Sequence, residues 1–124
     1  MALPIIEFDQ NGGDLIAKVI FGYGVQGSYM FELWDGDSKI LNIAHNNKTS
    51  EGNPIPLPSP ASLNNGRAIR CIASISDPNF QDGNKYCVDC VLYQGDAEVG
   101  RLNMEGETTV GLIQAELDGK LEAK

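Results

Sequence analysis

Basic side chains are scarce in this chain: 9 Lys and Arg stand against 17 Asp and Glu in 124 residues, and the pI is about 4.4. Nucleic acids and anionic membranes both need a basic footprint, so neither is an expected partner. Long apolar runs are missing as well. Nothing approaches the ~18 residues that would span a bilayer, and no membrane insertion is expected. The opening Met-Ala-Leu-Pro-Ile-Ile-Glu has no basic segment and no extended apolar one. It reads as no secretory signal, and a cytoplasmic protein is expected.

Three cysteines are too few, and odd in number, for a disulfide framework. Reduced thiols fit the expected compartment. Cys87-Val-Asp-Cys90 has the letters of a zinc C-x-x-C, with Cys71 and His45 at hand to complete a set. The pair falls in the middle of a strand pattern, however, where residues three apart face opposite ways. Cys71 and Cys90 read instead as small buried hydrophobes, with a disulfide between them on oxidation as the alternative.

There is one histidine, His45, and no local motif that would activate a serine or cysteine nucleophile. Walker loops are absent. Gly22-Tyr-Gly-Val-Gln-Gly27 spells G-x-G-x-x-G, but a strand pattern follows it where a dinucleotide site requires a helix. It reads as a hairpin loop. No catalytic residue and no cofactor are assigned, and the chain is not read as an enzyme.

What the chain does have is alternation. Leu3 to Phe8, Leu15 to Phe21, Ser28 to Trp34, Lys39 to His45, Ala68 to Ser76, Lys85 to Tyr93 and Ala97 to Met104 each alternate apolar and polar residues, with a bulge expected at Gly100. Turn formers separate them, among them Asp35-Gly-Asp37 and Gln94-Gly-Asp96. From Thr108 the pattern predicts a strand to about Leu117 and then a frayed tail, with a short C-terminal helix as the alternative. The long runs at Ala68 to Ser76 and Lys85 to Tyr93 are expected to pair about the turn at 77–84, with Cys71 opposite Cys90. Residues 1–124 are thus one all-β domain, an antiparallel β-sandwich of seven to nine strands, Ig-like or jelly-roll-like.

A proline-rich strap interrupts the pattern at 46–65. Pro54, Pro56, Pro58 and Pro60 stand at alternate positions, so one edge of the segment has no N–H donors. The other edge can still pair through Ile55, Leu57 and Ser59, as in a blunted edge strand or a strap crossing between two sheets.

Two surfaces stand out. If loops alternate between ends, one end collects turns carrying Asp9, Asp14, Asp35, Asp37, Asp77, Asp82, Glu105 and Glu107, a conceivable Ca²⁺ site. The other end collects Tyr23, Val25, His45, the strap and Gln94 to Asp96. Outward Trp34, Met30 and Tyr93, with Tyr23, Pro54, Pro56 and Pro58, form a candidate binding surface. The expected function is non-catalytic binding, to a protein partner or by self-association, through a sheet face or the strap. The alternatives are a lectin-like module for carbohydrate, calcium-dependent in one form, and then a small hydrolase.

Overall fold

Alternation sets which side chains enter the core. The computed structural model describes residues 3–22, 26–46, 53–76, 85–107 and 113–124. Its strands are β1 (Ile5–Phe8), β2 (Leu15–Gly22), β3 (Gln26–Asp35), β4 (Ser38–Asn46), β5 (Ile55–Pro56), β6 (Ala68–Ser76), β7 (Lys85–Gln94), β8 (Ala97–Glu107) and β9 (Ile113–Ala123). They form two packed sheets, a single-domain all-β sandwich. One sheet runs β1-β9-β6-β3-β4 and the other β5-β2-β7-β8. All pairings are antiparallel except that of β1 with β9.

The inward residues are those the alternation picks. Ile6 and Phe8, Leu15, Ala17 and Val19, Tyr29, Phe31 and Leu33, then Ile69, Cys71, Ala73 and Ile75 are all buried, with Tyr86, Val88, Cys90 and Leu92 facing them. Most are removed from water entirely, and each fully buried large apolar side chain contributes about 1.5–3 kcal/mol to folding. Asp35 pairs with Ser38 and Gln94 with Ala97, each across a Gly-Asp loop whose glycine has positive φ, the backbone that tight hairpins demand. The expected bulge also forms. Leu92 faces Gly100 while Tyr93 faces Glu98, so Val99 is the extra residue. A Cβ on Gly100 would lie 2.8 Å from Ile6 Cγ2, which explains a glycine at that site.

Four expectations are corrected. First, β6 and β7 do not pair; they lie in different sheets, and so do β2 and β3 on either side of the glycine-rich segment. Neither β2 with β3 nor β6 with β7 therefore forms a hairpin; residues 23–25 and 77–84 themselves lie outside the described residues. Cys71 and Cys90 do meet, but as free thiols reaching across the core from facing sheets. Second, the C-terminal tail is neither frayed nor helical. β9 runs to Ala123, Leu121 is fully buried, and Ile5 to Phe8 pair in parallel with Lys120 to Ala123. Third, residues 105–107 are not a turn but the end of β8.

The fourth correction concerns the ends. The strap is an edge strand, as its prolines suggest: Pro56 pairs with Ile16, and Leu57 N–H donates to Leu15 O at 2.9 Å. A short 3-10 turn at Ala61–Asn64 follows, held by Asn64 Nδ2 donating to Pro58 O at 2.9 Å. The strap thus carries the chain along the height of the domain, and every later loop changes ends. Gln94 Nε2 donates to Asp9 O at 2.7 Å and to Gly13 O at 2.9 Å, so the 94–96 turn sits beside 9–14, not opposite it. Ser76, where β6 ends, pairs with Gln26 at the end away from Asp35.

Candidate binding face

Side chains at alternate positions of β3, β4, β6 and β9 project from the outer face of the five-stranded sheet. The register sets them in rows. Trp34 stands beside Ala68, and Ala68 beside Lys120; the next row is Asn42, Glu32, Arg70 and Asp118; the next is Ala44, Met30, Ile72 and Glu116. Met30, Leu3 and Ile5 are exposed, and Trp34 and Ile72 half-buried.

Charges cross these rows in two locked groups. Glu32, only 5% exposed despite its outward direction, accepts from Trp34 Nε1 at 3.1 Å and pairs with Lys39 Nζ at 3.0 Å. Burial works to raise its carboxyl, but the hydrogen bonds from Lys39 and Trp34 outweigh it and hold the group below the usual range. The Lys39 ammonium lies 5.2 Å from the centre of the Trp34 ring, a cation–π contact. In the second group Arg70 Nη2 lies 2.9 Å from Glu116 Oε1. Asp118 neighbours Glu116 on the same face of β9. Burial, then a hydrogen bond to Glu116 and that residue's charge, push Asp118 up to about 6, while Glu116 is held low by the same bond and by Arg70. The two carboxyls titrate as a pair, with Asp118 the one protonated first as pH falls.

Beside these groups lies an open groove of about 390 Å³, walled by Leu3, Trp34, Asp37, Ala68, Arg70 and Asp118. A second hollow of about 290 Å³ continues along the face between Met30, Ala44, His45, Ile72 and Gln114.

The expected binding residues divide between opposite faces. Trp34 and Met30 lie on this one. Tyr93 lies on the outer face of the other sheet, where Lys18 Nζ stands 5.5 Å from its ring centre and Pro54 joins it in lining a hollow of about 350 Å³. Pro56 and Pro58 belong to the strap at that sheet's edge. Tyr23 lies outside the described residues, as do Asp77 and Asp82. Of the acids expected at one end, Asp9, Asp14, Asp35 and Asp37 do share it. Three of them are engaged locally: Asp9 Oδ1 accepts from Asn11 N–H at 2.9 Å, Asp14 accepts from Ser59 Oγ at 2.7 Å, and Asp35 pairs with Arg67 at 3.4 Å. Glu105 and Glu107 close β8 at the other end. Among the described residues no three His, Cys, Asp or Glu side chains converge to hold a metal.

Cys87 and Cys90 point to opposite faces. Cys87 sits outward beside Asp89 and Asn103, its thiol raised by burial and by the Asp89 charge. Cys90 is raised further, first by its contact with Cys71 and then by burial.

Sequence reasoning missed Arg70, Glu116, Asp118 and Lys39. The signal for Asp118 was there: the inward series Ile113, Ala115, Leu117 continues through Gly119 to Leu121, which keeps Glu116 and Asp118 together on the outer face.

No family model matches the chain, and no curated protein matches it. Among solved structures its fold is similar to a DUF4425 family protein from Bacteroides ovatus, with a TM-score of 0.53 and 15% identity over 87% of this chain and 94% of that one. A DUF4425 domain of unknown function from Bacteroides vulgatus gives a TM-score of 0.47 and 16% identity, over 86% of this chain and 93% of that one. The first likeness bears on the sandwich fold alone. Among the described residues no helix is long and apolar enough to cross a membrane.

Proposed function

We propose that this chain is a non-catalytic binding domain that recognises a protein partner across the outer face of its five-stranded sheet. The observation that carries this reading is the pair of locked charge groups beside an open groove. Trp34 is pinned by Glu32 and Lys39, and Arg70 is pinned by Glu116. Trp and Arg dominate the binding energy of protein interfaces, and side chains already held in place lose little entropy on binding. Exposed Met30, Leu3 and Ile5 supply apolar area around them. Asp37 and Asp118 leave the groove acidic in a chain of net charge −8, so the partner offers a basic and apolar surface.

A sugar platform is favoured less. It needs a bare ring face, and among the described residues the outward aromatics Trp34 and Tyr93 each carry a lysine ammonium over the ring.

The test is capture from extract on the immobilised domain, with Trp34→Ala and Arg70→Ala domains in parallel and a glycan array alongside. A protein retained by the native face and lost on both variants supports the reading. A glycan bound by the native domain, with no protein that depends on Trp34, overturns it.

A further inference from the structure

Each sheet has two edges, and three of the four are blunted. β1 is four residues long and carries Glu7. β5 is two residues long with prolines at 54, 56 and 58. β8 is bulged at Val99 and carries Glu98, Arg101, Glu105 and Glu107. Short strands, prolines, bulges and charges are the devices that keep an edge from pairing with another chain.

The fourth edge, β4, lacks them over most of its length. Its register break falls near Ile40, next to the hairpin, and Leu41 to Asn46 pair regularly with β3. That stretch, Leu-Asn-Ile-Ala-His-Asn, holds no proline, no carboxylate, no Lys and no Arg. Ser38–Asn46 as a whole holds one formal charge, Lys39. Among the described residues no strand pairs with its outer side. In a chain of net charge −8, contact between two copies is opposed wherever acids meet. Among the described residues, β4 is the long edge strand that carries no acid.

We propose that β4 pairs antiparallel with β4 of a second copy of this chain, joining two five-stranded sheets into one of ten strands. Main-chain hydrogen bonds supply the attraction, as in other strand additions. The two-fold axis stands perpendicular to the sheet, so both outer faces look the same way and two grooves lie side by side. The interface is a single pair of strands, so the dimer is reversible and depends on concentration.

The register proposed puts the axis at Ile43, so that Asn42 of one copy stands opposite Ala44 of the other on the outer face, with Leu41 and Ile43 on the core side. The test is sedimentation velocity at low salt over a concentration series, with two double variants, Asn42→Glu/Ala44→Glu and Asn42→Lys/Ala44→Lys. Like charges directly opposed across strands weaken pairing, so each variant alone should dissociate roughly fivefold more readily than the native chain, or more. An equimolar mixture of the two should recover the dimer, which a misfolded variant would not do; unchanged melting of each variant confirms folding. A native chain that stays monomeric up to millimolar concentration overturns the proposal. So does a dimer that neither variant weakens, or one that weakens without recovering on mixing.

Discussion

Replacing Asp118 with asparagine should stabilise the protein at neutral pH. Burial and the neighbouring Glu116 raise the Asp118 carboxyl from its ordinary 3.8 to about 6, so the fold favours the protonated acid. A shift of that size corresponds to a penalty of up to about 3 kcal/mol for carrying the charge in place. Asp118 is half exposed, and solvent screens such a group, so the expected gain from Asp118→Asn is nearer ~1 kcal/mol. The asparagine amide can donate to Glu116 at every pH, whereas the Asp118 carboxyl can do so only once protonated, below about pH 6. A gain of that size raises the melting temperature by about 4 °C in a domain this long.

The pH dependence is the sharper part. A carboxyl whose folded pKa lies above its unfolded value makes the native state gain stability as pH falls from about 6 towards 3.8. The advantage of the asparagine variant is therefore full above pH 7 and fades through that window, as the native Asp118 takes up its own proton. Urea unfolding of both proteins across this range reads it directly. An advantage that is the same at pH 5 and pH 7.5, or a variant less stable at both, would refute the account of the Asp118–Glu116 pair.

Three further outcomes follow from packing. Leu121→Ala empties a fully buried site on β9 and should cost about 2–5 kcal/mol by denaturant unfolding, whereas a frayed tail would lose almost nothing. Gly100→Ala drives a methyl against Ile6 and should cost about 1–3 kcal/mol in the same assay; a neutral result would mean that β1 sits elsewhere. Cys90→Ser places a hydroxyl in the core beside Cys71 and should cost about 1–3 kcal/mol, while Cys87→Ser, at a half-buried outward position, should cost clearly less. Equal losses would put both thiols in one environment.

Alternation was a dependable guide to which way a side chain faces because it is a local property. Any strand packed on one side repeats every two residues, whatever lies next to it. Tyr29, Phe31 and Leu33 enter the core for that reason alone, as do the four inward residues of β6. Pairing partners are not local. The eight residues between Ser76 and Lys85 are long enough to close a loose hairpin or to cross the ~10 Å between sheets, and alternation is the same in both cases. That is why the meeting of Cys71 and Cys90 was legible while its direction, across the core instead of along a strand pair, was not.

The strap carried the larger consequence. Its prolines marked a blunt edge correctly, and a crossing between sheets was one of the two readings they allowed, yet with only Ile55 and Pro56 in the strand its passage from one end of the domain to the other went uncounted. One uncounted traverse reverses the end of every loop after it, which dispersed the apparent acidic end and moved the 94–96 turn to the opposite pole. The binding face was hidden by a related limit. Glu32, Arg70 and Asp118 lie 38 and 48 residues apart along the chain, and only the order β9-β6-β3 places them in one row. A face made by strand order is invisible to any reading that treats strands one at a time. The buried Glu32 shows the same thing from the other side: alternation points it outward, and Lys39 and Trp34, brought over it by the β3–β4 register, are what remove it from water.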